Sequence, residues 1–247
     1  MSVRKVLIRK LEKGKQMEKA FGEKISTYTP SELLGRSLNN IESKSAPRIL
    51  YAAGSMEIPL PRPRVAIVGS RQAGPASLAD AELIVRALTK EGVVIVSGLA
   101  MGIDSAAHKA AIASKGKTIA VLGTPLDKVY PSENAELQAE IMEHHLAISQ
   151  YPVGSVVVRS NFVRRNRTMA LIADASVIVQ AGETSGSLSQ GYEALRLGRP
   201  LFIWTSLFES SLKWPKEMVK YGAMMLSDPK ELIENLPSSK TILEISP

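Results

Sequence analysis

The chain has 247 residues, 45% of them hydrophobic and 22% charged, which is ordinary for a globular protein built around one sizeable core. It contains no cysteine, which excludes disulfides, thiolate metal sites and a cysteine nucleophile, and its three histidines (His108, His144 and His145) leave little for a His-rich metal site. The net charge of +7 is concentrated at one end: residues 1–24 hold eight Lys/Arg against three Asp/Glu, so the remainder carries only +2 and a polyanion site there must be a local cluster.

Residues 1–45 differ in composition from the rest and read as a basic N-terminal extension, with residues 46–247 forming the main domain. Two readings of the basic tail stand side by side: a nonspecific DNA-binding arm, or a solvated and partly helical tail. Thr29-Pro30-Ser31-Glu32 opens a short helix, because proline tolerates the first turn. Arg48–Ala52 is an edge strand, and Pro59-Leu-Pro-Arg-Pro63 is a stiff connector that continues neither strand nor helix. No apolar run reaches the roughly 18 residues of a membrane span, and no apolar signal-peptide core follows the charged start. A soluble, cytoplasmic protein with no membrane contact is expected.

From Arg64 the pattern is regular. Apolar runs at 65–68, 93–96, 118–122, 146–149, 176–179 and 200–204 read as six strands. Segments of helical periodicity lie between them, at 77–90, 104–115, 134–143, 164–173 and 186–197, and Asp228-Pro229-Lys230-Glu231 is a capping box that starts a last short helix. Continuous apolar strands alternating with helices predict an α/β fold: a doubly wound, mostly parallel sheet of extended Rossmann-like type. Ligands of such sheets bind beyond the carboxyl ends of the strands, where Gly69, Gly98, Gly102, Gly123, Gly182 and Gly186 fall.

Five segments bear on chemistry. Gly69-Ser70-Arg71 offers close backbone approach, a hydroxyl and a guanidinium fork. Ser97–His108 is a glycine-rich loop leading into a helix of small residues, but its glycine spacing is not the dinucleotide fingerprint. In it Asp104 reads as a helix cap and His108 as a structural, hydrogen-bonded histidine. In Tyr130-Pro131-Ser132-Glu133-Asn134, Tyr130 either stacks on a base or closes its loop by packing, the reading favoured here, and Ser132 caps the next helix. Phe162-Val-Arg-Arg-Asn-Arg-Thr-Met169 sets arginines where a helix is predicted to begin. Arg164, Arg165 and Arg167 cannot all be buried and paired, since no acid lies between Gln150 and Asp174; at least two must face solvent or a ligand. Phe162 adds an aromatic platform suited to single-stranded nucleic acid. Gly182–Gln190, with Ser185-Gly186-Ser187, is a further phosphate cradle opening a helix.

Together these segments resemble the DNA-processing protein A family, also called Smf, in order and roughly in spacing over residues 46–210. The resemblance implies an extended Rossmann domain that binds single-stranded DNA, forms a homodimer, needs no cofactor or metal and is not an enzyme. It also implies loading of a RecA-type recombinase during natural transformation. The nucleic-acid-binding residues it implies, with the cluster above, are Ser70, Arg71, Phe162, Arg164, Arg165, Asn166, Arg167, Gly186 and Ser187. The helical N-terminal domain and winged-helix-like C-terminal domain common in that family are expected to be lacking, and Gln190 stands where the family usually keeps threonine.

A second resemblance, to nucleotide phosphoribohydrolases of the lysine-decarboxylase-like ("Lonely Guy") type, gives the alternative reading. Arg165 and Ala173-Asp174-Ala175 match that pattern, but Gln190 occupies the position of its glutamate and cannot act as general acid or base, leaving Glu193 one turn later. A domain that senses a small nucleotide is the third reading.

Overall fold

The computed structural model describes residues 25–236, so the basic tail of residues 1–24 lies outside the described residues. Nine strands form one sheet: β1 (Ser26–Tyr28), β2 (Leu50–Gly54), β3 (Arg64–Gly69), β4 (Val94–Ser97), β5 (Thr118–Leu122), β6 (Leu146–Ser149), β7 (Ala175–Gln180), β8 (Leu201–Trp204) and β9 (Met224–Leu226). Their spatial order is β1-β2-β6-β5-β4-β3-β7-β8-β9. All pairings from β6 through β9 are parallel, and β2 joins β6 and β1 joins β2 antiparallel. The helices are α1 (Pro30–Leu34), α2 (Asn40–Ser43), α3 (Pro75–Lys90), α4 (Ile103–Ala113), α5 (Ala135–His144), α6 (Arg159–Ile172), α7 (Gly186–Arg196), α8 (Trp214–Lys220) and α9 (Pro229–Glu234).

The central strands are buried on both faces, which is why they read as unbroken apolar runs. Along β3, Val65 and Ile67 join one core with Ile84 and Leu88 of α3, while Ala66 and Val68 join the opposite core with Met169 and Ile172 of α6. Each such aliphatic side chain contributes roughly 1.5–3 kcal/mol relative to exposure. A third cluster packs Leu137, Ile141 and Met142 of α5 over Ala120, Leu122 and Ala147.

Several boundaries depart from the sequence reading. Strand β2 is interior, because Ser26–Tyr28 pairs outside it. Residues 25–45 therefore share the sheet and core: Leu33 is fully buried, and Thr29 makes a reciprocal capping box with Glu32. Glu42 is buried between Arg36, at 2.6 Å, and Arg199, tying this segment to the turn before β8. Strand β9 and helix α8 were not anticipated, their apolar runs being short and interrupted by Lys213, Lys216 and Lys220. Asp228 does cap α9, accepting from Lys230 N–H at 2.9 Å, but Glu231 reaches back to Ser227 rather than to the cap residue. The correction that matters most is α6, which begins at Arg159 rather than Arg164. Residues 164–167 are thus mid-helix, and their N–H groups are spent within it rather than offered to an anion.

The strand order turns back between β3 and β7. Chain connections leave these neighbours in opposite directions, so their carboxyl ends open a crevice.

Candidate nucleic-acid interface

That crevice is a cleft of about 760 Å³. Its walls come from the turn after β3 (Gly69, Ser70, Arg71), the loop after β4 (Ala100, Asp104), one stripe of α6, and the start of α7 (Ser185, Gly186, Ser187). The α6 stripe comprises Arg159, Phe162, Val163 and Asn166, spaced i, i+3, i+4 and i+7, with Arg165 and Met169 beside it. Arg164 and Arg167 fall off this stripe because successive helical residues turn by about 100°. Arg164 is exposed, and Arg167 pairs with Glu193 at 2.9 Å. Of the nine anticipated binding residues, the fold thus brings seven to the cleft and leaves Arg164 and Arg167 outside its lining. Two of the three clustered arginines do face outward, and the third, Arg165, is buried without a hydrogen-bonded acid.

Arg165 is only 6% exposed. Its Nη1 donates to the carbonyls of Gly98 and, at 2.7 Å, Val121, and its Nε donates to Asn166 Oδ1 at 3.1 Å. No protein group among the described residues takes Nη2, which leaves those two N–H groups for a ligand. Burial pushes the Arg165 pKa down, and the nearby Asp104 carboxylate opposes that shift. Asp104 is itself buried, and desolvation raises its pKa against the pull of Arg165 and of backbone N–H groups including that of Ala100. It stands in the first turn of α4, whose cap is Gly102, and does not cap the helix as the sequence suggests.

Asn166 bridges two elements, since its Nδ2 also donates to the Gly186 carbonyl at 3.1 Å. This sets the first turn of α7 against α6. Ser185 caps α7 by accepting from Ser187 N–H at 3.3 Å, and the two serine hydroxyls are hydrogen-bonded to each other. Gly186 and Ser187 of this helix start line the cleft, and the first turn of a helix favours an anion. On the other wall, Ser70 Oγ accepts from Gln72 N–H at 3.1 Å, shaping the turn that presents Arg71.

At the mouth the Arg71 guanidinium lies 5.7 Å from the Phe162 ring centre, and the Tyr130 ring centre lies 5.2 Å from it on a 49° tilt. Tyr130, read from sequence as packed inside its loop, is 49% exposed and forms part of this rim. Ser132 begins a short 3-10 turn instead of capping α5, and its hydroxyl donates to Glu133. Asn134 is the buried residue of that motif. It donates to the Leu99 carbonyl at 2.9 Å and to Ser105 Oγ at 2.8 Å. Leu99 has a φ of 58°, a conformation that costs an L-residue roughly 1–2 kcal/mol. Asn134 therefore pins the strained residue next to Gly98, whose carbonyl accepts from Arg165.

His108 is structural, as its place on the helix suggested. It is fully buried, its Nδ1 is 2.7 Å from Thr118 Oγ1, and burial pushes its pKa down to about 3. Gln190 is fully buried on the cleft floor and donates to Ser176 Oγ at 3.1 Å, leaving Oε1 without a partner. Glu193 is absent from the cleft lining, its carboxylate divided between Arg167 and Arg196 at 2.9 and 2.7 Å. Asp174 lies at the far end of β7, held by Arg62 at 2.7 Å and by Arg64. Arg159 and Gln72, which also line the cleft, lie outside the segments that the sequence singles out. A helix begun at residue 159 would have revealed Arg159 by its i+3 relation to Phe162.

Among the described residues no helix is long and apolar enough to cross a membrane. A family profile described as DNA recombination-mediator protein A matches residues 27–237. The chain is 35% identical over 196 residues to the DNA processing protein DprA of Bacillus subtilis (strain 168), covering 77% of this chain and 65% of that protein. It thus spans slightly under two thirds of that relative's length. Among solved structures it resembles the DNA processing protein A of Streptococcus pneumoniae, with TM-score 0.75 and 30% identity, covering 89% of this chain and 77% of the other. It also resembles the Helicobacter pylori DNA processing protein A, whose structure describes a single-stranded DNA binding mode, with TM-score 0.69 and 27% identity over 89% of this chain and 96% of that one.

Proposed function

The chain belongs to the DNA recombination-mediator protein A family, and from that premise we propose that it binds single-stranded DNA in the β3/β7 cleft and acts in DNA uptake and recombination by loading a RecA-type recombinase. The observation that carries the reading is the combination at one cleft of an arginine rim (Arg71 and Arg159), an aromatic pair (Phe162 and Tyr130) and a capped helix start at Gly186 and Ser187. Phosphates meet guanidinium forks and helix N–H groups, while bases stack on rings that accept any base. Arg165 and Asn166 contribute from beneath, one offering Nη2 and the other fixing the helix start. Arg164 and Arg167 serve the strand on its way in or out, outside the cleft itself. Base contacts are few, so binding tolerates sequence.

One such cleft binds weakly. A homodimer presenting two clefts to one strand gains by raising the effective concentration of the second contact.

The role is binding rather than catalysis. The glutamate position of the phosphoribohydrolase pattern holds Gln190, an amide that cannot act as general acid or base, and Glu193 is held by two arginines away from the cleft.

The test is fluorescence anisotropy with a labelled single-stranded oligonucleotide at two salt concentrations, competed with duplex DNA and with AMP. Strong, salt-sensitive binding that duplex competes for poorly is the expected result. Absence of DNA binding, with AMP protected or cleaved instead, would replace this reading with the nucleotide-binding alternative.

A further inference from the structure

Four formally charged side chains line the cleft, and burial divides them into two sets. Arg71 and Arg159 are exposed at the rim, whereas Arg165 and Asp104 are 6% and 5% exposed at the floor. The buried two attract each other and grip the same loop: Arg165 donates to the Gly98 carbonyl, and Ala100 N–H approaches the Asp104 carboxylate at 3.4 Å. The neighbouring titratable groups add no charge. His108 is held neutral with a pKa pushed down to about 3, and burial raises the pKa of the Tyr151 hydroxyl, keeping it protonated. The floor thus sets one acid against one guanidinium, and the two further guanidinium groups of the cleft sit at the rim.

A floor that already holds a carboxyl group is a weak host for a group bearing more than one negative charge. An internal phosphodiester carries one. A terminal phosphate monoester carries about −1.5 to −2 near pH 7. In a desolvated floor the extra repulsion from a fixed carboxylate is far less screened than in water. Resting on the reading that the cleft holds DNA phosphates, we propose that Asp104 is a specificity-determining residue. It makes the cleft select the singly charged phosphodiester of an internal strand position over the phosphate monoester of a free nucleotide or a strand end.

The proposal explains an otherwise awkward feature, a buried acid in a cleft built for anions. A site serving only to gather phosphate would gain by replacing it. A site that must find strand in a cytoplasm or medium rich in free nucleotides gains by keeping it.

The experiment is competition against a labelled 5′-hydroxyl oligonucleotide on the full chain, using AMP and its phosphate methyl ester. The two competitors share base and sugar and differ in charge. The methyl ester is expected to compete at least about fivefold better than AMP. In Asp104→Asn, which keeps an acceptor for the Ala100 N–H, that ratio is expected to fall toward one. A methyl ester that competes no better than AMP in the unsubstituted protein overturns the proposal, and that arm stands even where the variant fails to fold. An unchanged ratio in a folded Asp104→Asn protein overturns it as well. Oligonucleotide binding that depends on Arg71 but lacks the diester preference removes only this selectivity. Failure of the oligonucleotide to bind removes the DNA-binding reading itself.

Discussion

Arg165 Nη1 donates to the Gly98 carbonyl, and the guanidinium fits there only because residue 98 lacks a side chain: a Cβ at that position would overlap it. The same relation recurs along the sheet edge. A Cβ at residue 123 would meet the Phe162 ring at 2.5 Å, and one at residue 102 would overlap the Ser70 carbonyl. Gly98, Gly102 and Gly123 are cut-outs shaped to seat the residues of the cleft.

Gly98→Ala is therefore expected to displace Arg165 and the strained Leu99 loop together. Overpacking of this kind costs about 1–3 kcal/mol. We expect a lower melting temperature and at least a tenfold loss of single-stranded DNA affinity, read by thermal denaturation and anisotropy. Unchanged affinity in a folded variant would remove Arg165 from the binding apparatus.

The helical stripe on α6 separates arginines that sequence alone groups together. Arg71→Ala and Arg159→Ala are each expected to lower the slope of log affinity against log salt by about one. Arg167→Ala removes a half-exposed ion pair to Glu193, costs under about 1 kcal/mol of stability, and changes the slope less than either. A larger slope change for Arg167 than for Arg71 would move the strand to the opposite face of α6.

Phe162→Ala is expected to cost about 1–3 kcal/mol of binding, the worth of one stacked base, or roughly 5- to 150-fold in affinity. Phe162→Tyr should retain most of it. Equal losses in both variants would mean that the ring serves only to pack on Gly123.

Glu42 predicts an acid limit to stability. Its hydrogen bonds from Arg36, with further help from Asn39 N–H and the charge of Arg199, hold its pKa down to about 2 from an ordinary value of 4.5. A carboxyl whose pKa is lowered on folding stabilises fully above its unfolded value. That contribution is expected to be complete above about pH 4.5 and to be lost as the pH falls toward 2. Glu42→Gln should destabilise by about 2 kcal/mol at pH 7 and flatten the dependence of melting temperature on pH over that window. A melting temperature that falls as steeply below pH 4.5 in the variant would assign the acid sensitivity elsewhere.

Local physics made the sheet legible. Runs such as Val65–Val68 and Val177–Val179 are apolar on both faces because they lie between two helical layers, and glycines at their ends marked the edge where a ligand binds. The motifs Gly69-Ser70-Arg71 and Ser185-Gly186-Ser187 were readable for the same reason: turn and cap chemistry is decided within a few residues. Short elements such as β1, β9 and α8 were not, because pairing and burial supplied by distant chain, rather than their own pattern, hold them in place. The fate of the arginines was likewise a tertiary matter. Their clustering in sequence is a fact about composition. Which one is buried depends on where α6 starts, on the phase of its turns, and on the space left by Gly98 and the carbonyls of Gly98, in the loop after β4, and of Val121 in β5. By itself the sequence determined the fold class and the edge of the sheet that carries the site. Only the folded chain decided that Arg165 and Asp104 form its floor and that Arg71, Arg159, Phe162 and Tyr130 form its rim, because burial and charge pairing are properties of segments brought together from far apart.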